Sequence, residues 1–72
     1  MKKAIYTHEY KRLVEKLRKA RTDLGVDQTY VAKKLGTTQS YVSKVESGQL
    51  RLDVIQLKEL AKIYKKKITD FI

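Results

Sequence analysis

Neither cysteine nor proline occurs among the 72 residues, and glycine occurs only three times. Without cysteine the chain can form no disulfide and no thiolate metal site. With no proline and so little glycine, an all-helical chain is expected rather than a turn-rich β fold. Histidine is nearly absent too. His8 stands alone, so a metal site lacks ligands and a nucleophile–base pair cannot be assembled. No catalytic residue, no metal and no cofactor is therefore expected. No apolar run approaches the ~20 residues that span a bilayer. The opening "MKKAIYTHEY" carries basic residues with no apolar run behind them, unlike a secretory signal. The expectation is a soluble cytoplasmic protein, not an enzyme, with no membrane partner.

Acidic residues are also scarce. Seventeen Lys and Arg stand against eight Asp and Glu, a formal charge of +9 with a pI near 9.9. Such an excess points to a polyanion partner, either DNA, RNA or an anionic surface. A merely lysine-rich, solvated surface would give the same composition. The five tyrosines do not interleave with basic residues as in a single-strand binder. There is no repeat and no linker, so residues 1–72 are read as one domain. A chain this short buries only about 60% of its unfolded surface. Its stability must come from well-packed helices or from a partner subunit.

The helix signals are regular. Thr7 can cap a first helix reaching Leu24, with Glu9 in the first turn and Gly25 as the stop. Tyr10, Leu13, Val14, Leu17, Ala20 and Leu24 recur at three and four residues and form its apolar stripe. Asp27 can cap a second helix over 28–35, with Val31, Ala32 and Leu35 inside and Gly36 after it. Thr38 can cap a third over 39–46, with Val42 and Val45 inside. Asp53 with Gln56 three residues on fits a capping box, opening a fourth helix that runs to Ile63 or Tyr64. Ile55, Leu57, Leu60, Ala61 and Tyr64 are expected to face its core. "KKKITDFI" then turns into a short apolar tail.

The two short helices matter for their geometry, because the first can brace the second at a steep angle. Gly36 tolerates the left-handed backbone a tight turn needs. Ala32 permits close approach, and Val42 and Val45 anchor the inner face. Counted from Gln28, these are places five, nine, fifteen and eighteen of a twenty-residue unit, 28–47. That pattern, within "LRKARTDLGVDQTYVAKKLGTTQSYVSKVESG" and followed by "LKELAKIY", resembles the lambda-repressor-like (Cro/cI, XRE) helix-turn-helix family. The resemblance runs from about Lys11 to Phe71. It implies a compact five-helix, all-α DNA-binding domain. Four positions depart from the usual pattern: Asp27 replaces Ser or Thr, Tyr30 replaces a box-completing Glu, Thr37 holds an often apolar place, and Lys65 sits where glycine commonly ends the fourth helix.

Gln39, Ser40, Ser43 and Lys44 lie one helical pitch apart, opposite Val42 and Val45. The major groove admits one α-helix, where glutamine can bond adenine N6 and N7, lysine can reach guanine O6 and N7, and serine suits several base edges. The same face would also suit plain solvent. The resemblance implies that Gln39, Ser40 and Lys44 read bases and that Gln28, at a helix N-terminus, contacts phosphate. Tyr41, Ser43, Ser47, Gln49 and Arg51 are expected to flank the groove as further candidates for phosphate contact, which positions without reading sequence. For Tyr41, packing on the second helix is an equal alternative. The resemblance also implies a partly buried bidentate pair between Arg21 and Glu46.

The reading is a sequence-specific, double-stranded-DNA-binding transcriptional regulator, a repressor or an activator according to how it meets RNA polymerase. Two copies would read a pseudo-palindromic operator, with half-sites about one helical turn apart. A weak homodimer, formed mainly on DNA through the fourth helix and the apolar tail, is expected. The alternative from another class is an antitoxin-like module that also binds a toxin protein. A non-specific basic protein fits the ordered caps and the polar third helix less well.

Overall fold

A computed structural model describes residues 7–72 of the chain. The first six residues, which include most of the N-terminal segment weighed above, lie outside the described residues. Four α-helices are present there: α1 (His8–Leu24), α2 (Gln28–Leu35), α3 (Gln39–Glu46) and α4 (Val54–Ile63). A 3-10 turn at Ile68–Asp70 follows. The described residues contain no strand.

Each α-helix begins on the expected cap. The Thr7 hydroxyl accepts from the Tyr10 amide at 3.2 Å, Asp27 from Tyr30 at 2.8 Å, and Thr38 from Tyr41 at 3.1 Å. At α4 the box closes both ways. Asp53 accepts from the Gln56 amide at 2.8 Å, and the Gln56 side chain accepts from the Asp53 amide at 3.2 Å. These bonds satisfy amides that a helix start otherwise leaves without partners. Gly36, with φ 74°, closes α2 by donating back to Lys33 and passes the chain into α3. The space around its Cα is open, so backbone conformation and not crowding calls for glycine there.

The core forms where the four helices converge. Leu17 and Ala20 of α1, Val31 and Ala32 of α2, Val42 and Val45 of α3, and Leu57, Leu60 and Ala61 of α4 are all buried together. Tyr64 and Phe71 close one end of this cluster, while Leu13, Leu24, Leu35 and Ile68 pack at its margin. The short α2 and α3 pack chiefly on each other and are held from behind by α1 and α4. The α3 inner face is thereby fixed, and its outer face is left free.

Two expectations need correction. The tail is not a fifth α-helix. Lys65 takes φ 60° and Lys66 donates to the Ala61 carbonyl at 2.9 Å, which terminates α4 abruptly. The three residues that follow close only i→i+3 bonds, and the Asp70 carboxylate accepts from the Lys67 amide at 2.8 Å. Ile55 is not a core residue, being 58% exposed. Two residues before Leu57 it is rotated about 200° from the Leu57–Leu60–Ala61 stripe, onto the face of Lys58, Glu59 and Lys62.

Candidate nucleic-acid interface

The site is built outward from a buried ion pair. Arg21 on α1 donates through Nε to Glu46 Oε2 at 2.7 Å and through Nη2 to Oε1 at 3.1 Å. The Glu46 side chain is 2% exposed and that of Arg21 14%. The third Arg21 nitrogen, Nη1, donates to the Val26 carbonyl at 2.9 Å, so the fork also pins the α1–α2 turn. Hydrogen bonding to Glu46 raises the Arg21 pKa, while burial pulls it the other way. Arg18 approaches the same carboxylate from solvent, with Nε 3.7 Å from Oε1. The resemblance implied this pair, and the structure places its two members on α1 and at the last residue of α3. It therefore ties the outward-facing helix to the scaffold.

From Glu46 the bonds continue to the surface. Gln28, the first residue of α2, donates through Nε2 to Glu46 Oε1 at 2.9 Å. Gln39, the first residue of α3, donates through Nε2 to Gln28 Oε1 at 2.6 Å. Two residues singled out separately in the sequence are thus in direct contact. Gln39, Ser40 and Lys44 are exposed in one row, Ser43 is half-buried beside them, and Gln28 is half-buried.

The segment after α3 folds back onto it. The Lys44 carbonyl accepts from the Ser47 hydroxyl at 3.1 Å and from the amides of Gln49 and Leu50 at 2.9 and 3.3 Å. Ser47 and Gln49 are thereby drawn beside Lys44. Tyr10 of α1 anchors the next stretch. Its hydroxyl donates to the Leu50 carbonyl at 3.0 Å and accepts from the Leu52 amide at 3.1 Å. The Arg51 guanidinium lies over the Tyr10 ring, 4.9 Å from its centroid, in a cation–π contact.

Tyr41 is half-buried against the core and lines a small cavity with Leu35, Thr37, Leu52, Gln56, Glu59 and Leu60. Burial raises the pKa of its hydroxyl, with Asp53 adding to the effect. Its side chain lies near Leu35, the last residue of α2. Sequence reasoning had the Arg21–Glu46 pair from the resemblance but missed its continuation through Gln28 to Gln39 and the role of Tyr10. A glutamine heading each of α2 and α3 was the one visible sign of the first. Nothing in the sequence marked the second.

Among the described residues no helix is long and apolar enough to cross a membrane. Comparison with known families matches residues 17–71 to a helix-turn-helix family model of the Cro/cI (XRE) type. No curated protein and no solved structure gives a significant match. The match covers most of the chain and coincides with the region whose turn, caps and core have just been described. The chain belongs to this helix-turn-helix family of DNA-binding regulators.

Proposed function

We propose that this helix-turn-helix family member regulates transcription by sequence-specific binding of double-stranded DNA. It would act as one domain with α3 laid in the major groove. The observation that carries this reading is the Gln28–Gln39 hydrogen bond, which holds the exposed glutamine at the head of α3 in one orientation. Nε2 of Gln39 has two N–H groups and spends one on Gln28. One N–H and the carbonyl oxygen remain, the donor and acceptor that adenine N7 and N6 require. Gln28 likewise keeps one N–H after bonding Glu46, a donor suited to a phosphate oxygen. Ser40 and Lys44 complete the base-reading row. Tyr41, Ser43, Ser47, Gln49 and Arg51 are assigned to phosphate, with Arg51 held ready by Tyr10.

The chain is proposed to work in the cytoplasm and to pair weakly on its operator through α4 and the tail, where Ile72 is 78% exposed. RNA polymerase would be its partner in regulation. A second reading, an antitoxin-like module that also binds a toxin protein, draws on Val54 and Ile55, which are 61% and 58% exposed at the start of α4. The test of the principal reading is Gln39→Ala against a panel of single-base operator substitutions. The variant should lose about 1–3 kcal/mol at one base position and relax preference there. Lys33→Ala on α2 should do far less. Uniform weakening by Gln39→Ala across the panel would reassign Gln39 to phosphate or scaffold.

A further inference from the structure

Hydrogen-bond polarity runs in one direction along the chain from Arg21 to Gln39. The Glu46 carboxylate, paired with Arg21, offers acceptors only. Gln28 therefore has to turn its NH2 inward, toward Glu46 Oε1, and its carbonyl oxygen outward. Gln39 in turn has to meet that oxygen with its own NH2. An amide has two nearly isosteric faces, and an exposed glutamine ordinarily exchanges them freely by rotation about its last torsion. Here one face is selected by a charge buried two residues away along the chain of bonds.

Resting on the base-reading role proposed for α3, we propose that the buried Glu46 carboxylate, acting through Gln28, sets which base Gln39 prefers. Glu46 and Gln28 are positioning residues and Gln39 is the reader. With its NH2 spent inward, Gln39 presents an oxygen acceptor and one N–H, which match the N6 donor and N7 acceptor of adenine. Turned over, the oxygen would be spent on Gln28 and the outward atom would be an NH2 with two donors. That arrangement matches guanine, whose N7 and O6 both accept. The Arg21–Glu46 pair is thus more than a brace between α1 and α3. It also carries a sign that reaches the protein surface.

The test uses Gln28, because it is only half-buried and Glu46 keeps both its bonds to Arg21 when Gln28 changes. The base pair that responds to Gln39→Ala is set to each of the four possibilities in the operator. Binding is then titrated for the unaltered chain, Gln28→Met and Gln28→Lys, after melts show that each is folded. The unaltered chain should favour adenine over guanine by about 5- to 100-fold. Gln28→Met cuts the chain of bonds and should bring the two bases to within about twofold. Gln28→Lys puts a donor-only ammonium between Glu46 and Gln39, which turns the Gln39 amide over and should shift preference to guanine. If Gln28 merely contacts phosphate or braces the fold, both variants will change affinity equally for all four bases and adenine preference will persist. That result overturns the proposal while leaving base reading intact. If no base pair responds to Gln39→Ala, base reading itself fails.

Discussion

Removing the Glu46 carboxylate should cost more than any other change of a charged residue in the chain. Glu46→Ala takes the acceptor from Arg21 Nε at 2.7 Å, from Arg21 Nη2 at 3.1 Å and from Gln28 Nε2 at 2.9 Å. Arg21 is 14% exposed, so water replaces those bonds poorly and a guanidinium is left without its counter-charge. Breaking a buried pair on one side costs about 3–5 kcal/mol. At roughly 0.05–0.15 kcal/mol per residue, a chain of this length has about 4–11 kcal/mol of stability in total. The variant should therefore lose a large fraction of its stability, read as a lower midpoint in a urea melt with the slope unchanged. Asp23→Ala is the control. It breaks an exposed pair with Lys19 at 3.2 Å and should cost about 0–0.5 kcal/mol. Replacing both buried partners, Arg21→Met with Glu46→Leu, should recover most of the loss, because no uncompensated charge remains. If Glu46→Ala costs no more than Asp23→Ala, or if the double variant is no better than the single one, the loss does not come from a stranded charge and the reasoning fails.

Lys65→Gly should stabilise the fold by up to ~1 kcal/mol in the same melts, since Lys65 holds φ 60° where a side chain is strained; a loss of stability would show that the backbone there is unstrained. Burial pushes the Tyr64 hydroxyl up to about 12, with Glu46 adding to the shift and Arg21 opposing it. Its proton is held more tightly in the folded chain than in the unfolded one. The stability linked to it is fully present below pH ~10 and should fall as pH rises from there through 12, a fall that Tyr64→Phe should flatten in melts across that range. Ile72→Asp should weaken cooperative full-site binding while half-site binding and the melt stay nearly unchanged, and unchanged cooperativity would place the self-contact elsewhere.

Local features were the most legible in the sequence. Thr7, Asp27, Thr38 and Asp53 each cap the helix their chemistry indicated, because a cap depends on residues three apart. Lys65 stood where the family pattern has glycine, and it takes the positive φ that glycine would adopt more easily. The tail misled for a related reason. Its fifth helix was expected from the family resemblance and not from a pattern in these residues, and the segment between the α4 stop and Phe71 closes only the single 3-10 turn at Ile68–Asp70. Ile55 misled because hydrophobicity was read without its angle around α4. The candidate site was half visible. The exposed row of Gln39, Ser40 and Lys44 follows from helical spacing alone. The links from Glu46 to Gln28 and from Gln28 to Gln39 join residues 18 and 11 apart, and the Tyr10 hydroxyl reaches residues 40 and 42 further on. Those bonds exist only once α1, α2 and α3 have packed, and no local pattern encodes them.

Selection of bound duplexes from a random DNA pool tests the central claim most directly. The predicted result is a short enriched motif made of two inverted half-sites, about one helical turn apart, with adenine at the position that loses preference when Gln39→Ala is put through the same selection. A pool that emerges without any enriched sequence, although the folded protein binds it, would contradict sequence-specific recognition by α3.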